Sequence, residues 1–212
     1  MADYKALQVK LKALAGREWD MAAIEARCRA AVAAGFSRKL PGADEALRDR
    51  ERILARVELR AEEYNYFAGN CARGTALAVM EEFGLGSVEV LRALSPFPGF
   101  GSTGWMCGGV TGGLAAIGLY RGSDDLGDFE SMGAAMGMAK QFMERFGEAV
   151  GAYTCPKIQE DVVFGRYMDP GASPENMARF EQEKGFEKCS MLPGIGARIA
   201  TDIILGDIIK NA

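Results

Sequence analysis

The stretch ADEALRDRERILARVELRAEEYNYF, residues 43–67, decides the fold class. Leu47, Leu54, Val57, Ala61 and Tyr64 fall at helical steps along it, which puts them on one face of an amphipathic helix. The other face is dense in Arg and Glu, as a solvated helix surface requires. Upstream, residues 3–14 and 18–34 read as two short helices with Gly16 and Gly35 as stops, followed by a linker through Pro41. Downstream, Gly69-Asn70 breaks the chain, and helices are expected at 71–83, 88–94, 107–120 and 128–146. Met132, Met136 and Met143 line one side of the last of these, the pattern of a core stripe.

Ser95 to Gly104 holds two prolines and three glycines and reads as a loop. Cys155-Pro156 opens another helix, because proline suits a first helical position, and Asp169-Pro170-Gly171 ends it. Ser173 caps the next helix, Cys189 falls in the break after it, and a final amphipathic helix carries Ile195, Ile199, Ile203 and Ile208. No strand pattern is present. The expectation is an all-α helical bundle, with residues 1–66 as an N-terminal helical extension and 67–212 as a cysteine-bearing module.

The composition narrows the function. With 212 residues, 49% of them apolar, the chain can bury a core of its own. Its net charge of −4 argues against a nucleic-acid partner, since such binding needs a basic surface to displace counterions. No run of 18 apolar residues suggests a membrane span, and no leader pattern opens the chain, so a cytoplasmic location is expected. Five cysteines in that setting read as metal-binding or catalytic. Histidine is absent, which removes Ser-His-Asp and Cys-His catalysis, the zincin motifs and His-ligated haem.

Cys71, Cys107 and Cys155 fall at or just before expected helix starts, and Cys189 a few residues before one. A helix N-terminus offers unpaired N–H groups and partial positive charge, which stabilise a thiolate. Gly108 and Gly109, after Cys107, would let backbone N–H groups approach sulfur. The spacings of 36, 48 and 34 residues form no compact metal motif, and buried inert cysteines fit them equally well. Cys28 lies in an Ala-rich helix and reads as core.

Asn70-Cys71-Ala72-Arg73-Gly74, then Met80-Glu81-Glu82-Phe83-Gly84-Leu85, then Cys107-Gly108-Gly109-Val110-Thr111-Gly112-Gly113-Leu114 and Ile117-Gly118-Leu119 resemble the redox-active family named for its C-GCAxxG-C-C pattern. The resemblance runs from about Phe67 to the C-terminus. It implies that the family cysteines are Cys71, Cys107, Cys155 and Cys189, and that position 109, a glycine here, accepts alanine. The same module is similar to the iron–sulfur part of split-Soret cytochromes c, whose haem part is not matched. The resemblance therefore implies a [2Fe-2S] cluster on Cys71, Cys107, Cys155 and Cys189, with Gly108 and Gly109 beside it, and a redox partner protein. A metal-free thiol–disulfide protein and a structural zinc on the four thiolates are the alternatives. No set of catalytic residues is assigned.

Two other motifs are present. Gly99-Phe100-Gly101-Ser102-Thr103-Gly104 matches G-x-G-x-x-G, but no strand precedes it, as dinucleotide binding would need; it reads as a loop packed on the Cys107 helix. Leu192-Pro193-Gly194-Ile195-Gly196 looks like the turn of a helix-hairpin-helix nucleic-acid binder. From Phe186 onward, however, Lys188, Arg198 and Lys210 only balance Glu187, Asp202 and Asp207. A tight turn beside Cys189 is expected instead. Residues 1–66 carry no named motif. Docking a partner, forming a homodimer interface and packing on the module satisfy their periodicity equally.

Overall fold

Capping side chains set the helix boundaries in the computed structural model, which describes residues 2–212. Asp3 and Asp20 open α1 (Tyr4–Ala15) and α2 (Met21–Ala34) by accepting from the N–H groups of Ala6 and Ala23, each at 3.0 Å. The 43–67 stretch forms two helices, α3 (Ala43–Arg48) and α4 (Arg50–Ala68), parted at Asp49, where φ is −102° and ψ 7°. Aspartate is a weak interior helix residue, and here its carboxylate is held by Arg48 and Arg52. Asn70 caps α5 (Cys71–Phe83), and Gly84 ends it in the left-handed region. The short helices α6 (Val88–Ala93) and α7 (Gly99–Ser102) lead to α8 (Gly108–Arg121) and α9 (Phe129–Val150), the latter capped by Asp128. Beyond lie α10 (Cys155–Ile158), a π-helical turn (Gln159–Val163), α11 (Pro174–Gln182) capped by Ser173, α12 (Gly185–Cys189) and α13 (Met191–Lys210). Among the described residues there is no strand, only one antiparallel bridge between Met106 and Thr154. The fold is all-α, as expected.

The core lies where α5, α8 and α13 meet. α5 packs on α4 and α8, and α13 packs on α4, α8 and α9. Both α5 and α13 are buried on most of their faces, so apolar residues run around them instead of along a single stripe. Polar ties fix the register at the edges. Asp202 of α13 accepts from Arg50 and Arg145, each at 2.7 Å, and the Tyr120 hydroxyl donates to Asp207 at 2.8 Å. Glu62 of α4, almost fully buried, is clamped by Lys10 at 2.7 Å and Arg17 at 2.8 Å. This pairing anchors α1 and the turn after it to the bundle, because a carboxylate this deep needs a charged partner. Among the described residues, no helix is long and apolar enough to cross a membrane.

Two expectations change. Leu192 to Gly196 is no turn: it lies in the first part of α13, with Pro193 in the opening turn, where a missing N–H costs no intrahelical bond. Ser190, between α12 and α13, also has helical backbone angles. The methionine stripe of α9 is not core either. Met132 and Met136 are exposed, and only Met143 packs against the core. The face of α9 that docks is the opposite one, through Met138, Phe142, Phe146 and Val150.

Gly113 marks the closest approach of α8 and α9, since a Cβ there would lie 2.5 Å from the Phe142 ring. Gly113→Val must push that buried ring aside. Overpacking of this kind costs about 1–3 kcal/mol, so thermal denaturation followed by circular dichroism should show a melting temperature lower by roughly 2–12 °C.

Candidate redox site

Cys71 is the first residue of α5, Cys107 the N-cap of α8, and Cys155 the first residue of α10. The Met106–Thr154 bridge pins two of them side by side. The Cys107 N–H donates to the Tyr153 carbonyl at 2.8 Å, and the Cys155 N–H donates to the Trp105 carbonyl at 2.9 Å. The two thiols then lie near enough for each to shift the other's ionisation. Cys71 reaches the same place across the α5–α8 contact. A Cβ on Gly108 would stand 2.1 Å from the Cys71 Sγ and 2.6 Å from the Ala72 nitrogen. Only glycine leaves room for that sulfur. Cys189 is the last residue of α12, two residues before α13 begins at Met191.

Cys71, Cys155 and Cys189 line one cavity of about 160 Å³, and Cys107 is buried behind Cys155. Its walls are largely apolar, with Pro98, Gly99, Phe180 and Phe186 among them, and Gln159, Tyr167 and Asp169 add polar groups. Asn65 donates to the buried Ser190 hydroxyl at 2.8 Å, which ties α4 to the residue after Cys189. Gln159 lies in the π-helical turn and accepts from the Met168 N–H at 2.7 Å, so the wide turn after Cys155 holds the Tyr167–Asp169 segment over the cavity.

Helix position does not by itself ionise these thiols. Burial pushes Cys71 up to about 11, with the Cys155 charge adding to it, against the N–H groups of Gly108, Cys71 and Ala72. Cys189 is raised by burial and then by Cys155 and Cys71, with only Lys188 opposing. Cys107 is raised because its thiol donates to Cys155, burial and the Cys155 and Cys71 charges acting the same way. Cys155 alone is lowered, since it accepts from Cys107 and from the Gly99 N–H, against burial and the Asp169 carboxylate. Four buried sulfurs so close cannot all carry charge, and the thiolate form is favoured most at Cys155, where the neighbouring thiol adds to the backbone donor.

The Gly109 N–H faces Cys107, as the backbone-access reading requires, but a Cβ at 109 would lie 2.6 Å from the Leu192 carbonyl oxygen. Alanine there would need the start of α13 to move. The Gly99–Gly104 loop faces Cys155 through Gly99, with Phe100 and Ser102 in the left-handed region. Cys28 lies apart on α2, near Arg73 and Glu81, with its thiol raised by burial. Asn65, Gln159, Tyr167 and Asp169 were not read from the sequence as site residues. Among the described residues, no group of three or more His, Cys, Asp or Glu side chains is arranged to hold a metal ion.

The family described as "Putative redox-active protein (C_GCAxxG_C_C)" matches residues 69–203, most of the chain. The chain belongs to this family. No curated protein and no solved structure matches it. The family match spans all four site cysteines and the glycines after Cys107, and leaves out Cys28.

The thiol order gives a test in the metal-free protein. Cys155 should react with iodoacetamide at a lower pH than Cys71, Cys107 or Cys189, because the thiolate is the attacking form. Peptide mapping of alkylation against pH checks this. Equal labelling of Cys71 and Cys155 at neutral pH would contradict the charge order.

Proposed function

We propose that Cys71, Cys107, Cys155 and Cys189 hold a [2Fe-2S] cluster and that the protein passes electrons through it to a redox partner protein. The observation that carries this reading is that Cys71, Cys155 and Cys189, spread over more than a hundred residues, line one largely apolar cavity, with Cys107 beside Cys155. The donor set suits the group: four thiols, no histidine, and a glycine cradle at 108 that any Cβ would fill. When bound, such a cluster supplies a one-electron couple. The chain's own part is electrostatic. N–H groups of Ala72 and Gly108 face Cys71, that of Gly109 faces Cys107 and that of Gly99 faces Cys155. These donors favour negative charge on sulfur and so raise the reduction potential. Phe180 and Phe186 give the cavity apolar walls, while the Asp169 carboxylate beside Cys155 opposes added negative charge.

A second reading has its own support in the pairing of Cys107 with Cys155 across the Met106–Thr154 bridge. In it, the Cys155 thiolate attacks a disulfide of a partner protein and releases one partner thiolate. Cys107 then loses its proton and attacks Cys155 in the mixed disulfide. A Cys107–Cys155 disulfide closes and the second partner thiolate leaves, so the partner gains two electrons and the pair loses two.

Iron and acid-labile sulfide analysis with a UV–visible spectrum, on protein purified without oxygen, decides between them. The cluster reading expects brown protein with about two iron and two sulfide per chain, bleached by reductant. Cys71→Ser, Cys155→Ser and Gly108→Ala should lower that content, and Cys28→Ser should leave it unchanged. Colourless, iron-free protein that loses two thiols on oxidation, mapped to Cys107 and Cys155, would replace it with the second reading.

A further inference from the structure

The N-terminal half of α9 presents an apolar face to solvent on the side away from the core. Phe129, Met132 and Met136 are 72%, 56% and 66% exposed, and Leu126, just before the helix, is 97% exposed. Large apolar side chains clustered on one exposed helix face mark an interaction surface. Gly133 and Gly137 lie on the same face, and a Cβ on either would meet nothing within 4 Å. They make a flat strip on which another backbone can come close. Residues 131–139 carry no charge, and the strip is bounded by Glu130 at one end and Lys140 at the other. Glu130, Gly133, Gly137 and Lys140 are spaced by three, four and three residues, the seam along which two helices pack.

We infer that this face is the interface of a homodimer in which two α9 helices pack antiparallel about a two-fold axis near the Gly133–Gly137 strip. The order of charges chooses both the occupant and the direction. In the antiparallel arrangement Glu130 of one copy lies opposite Lys140 of the other, and the symmetry makes that pair twice. A parallel arrangement would set Glu130 beside Glu130 and Lys140 beside Lys140. The flat glycine strip of one copy receives that of the other, and Phe129, Met132 and Met136 of both copies flank it. This is the isologous contact of a cyclic dimer, in which one surface meets itself. Lys140 now has only a loose contact to the exposed Glu144, at 3.9 Å, so it is free to turn to a second copy. The interface uses the side of α9 opposite Met138, Phe142 and Phe146, and the dimer does not depend on which redox chemistry the thiols perform.

Sedimentation velocity of the full chain over a range of concentrations tests the inference. A dimer is expected, and Met136→Asp, at an exposed position, should convert it to monomer with an unchanged circular dichroism spectrum. Glu130→Lys and Lys140→Glu should each weaken association about tenfold, because each places like charges together at both ends. The combined variant E130K/K140E restores opposite charges and should recover the dimer. A wild-type monomer at every concentration would overturn the interface. So would a dimer that survives Met136→Asp, and a combined variant no better than the single ones would overturn the antiparallel register.

Discussion

The Cys71 sulfur occupies the space that a side chain at residue 108 would fill. That contact sets how near α5 and α8 lie, and the rest of the bundle follows from it. The same pair of helices meets again one turn later, where a Cβ on Gly112 would stand 2.4 Å from the Ala72 carbonyl oxygen. α13 is drawn to α8 at the same depth, with the Gly109 carbonyl against Gly196. Glycine weakens an isolated helix, and here close helix packing around the thiols offsets that loss. The site is thus made by the core itself and not by a loop laid on it.

Burial and hydrogen bonding act in opposition on the four thiols. Burial alone would keep every sulfur protonated. The backbone N–H groups at the starts of α5 and α8, and that of Gly99, oppose it. They win only at Cys155, where a thiol donor is added. A site of this kind resists carrying several separate charges yet is lined with donors for sulfur. Such a balance suits a centre whose negative charge is shared over many atoms, or a pair that shares one proton.

The helical fold was legible because apolar spacing and caps agree. Asp3, Asp20, Asn70, Asp128 and Ser173 each start a helix and each hold an N–H of its first turn. The cysteines were legible through their place at these starts and through the family pattern. Legibility failed where local chemistry fits two outcomes. Pro193 and Gly194 read as a turn, but proline also fits an opening helical turn, and burial against α4 and α8 chose the helix. The methionines of α9 have the spacing of a core stripe, yet which side of a helix is covered depends on neighbours far along the chain. Tyr167, Asp169, Asn65 and Gln159 gave no signal because they reach the site only through tertiary packing, at the far end of a π-helical turn or across the bundle.

The central claim is that Cys71, Cys107, Cys155 and Cys189 share one site from which Cys28 is excluded. Cross-linking of the reduced, metal-free protein with dibromobimane, which bridges only neighbouring thiols, followed by peptide mapping, tests it without assuming any cofactor. Bridged peptides joining Cys107 to Cys155 are expected, with further bridges among the four and none to Cys28. A bridge to Cys28, or the failure of Cys107 and Cys155 to link in folded protein, would contradict it.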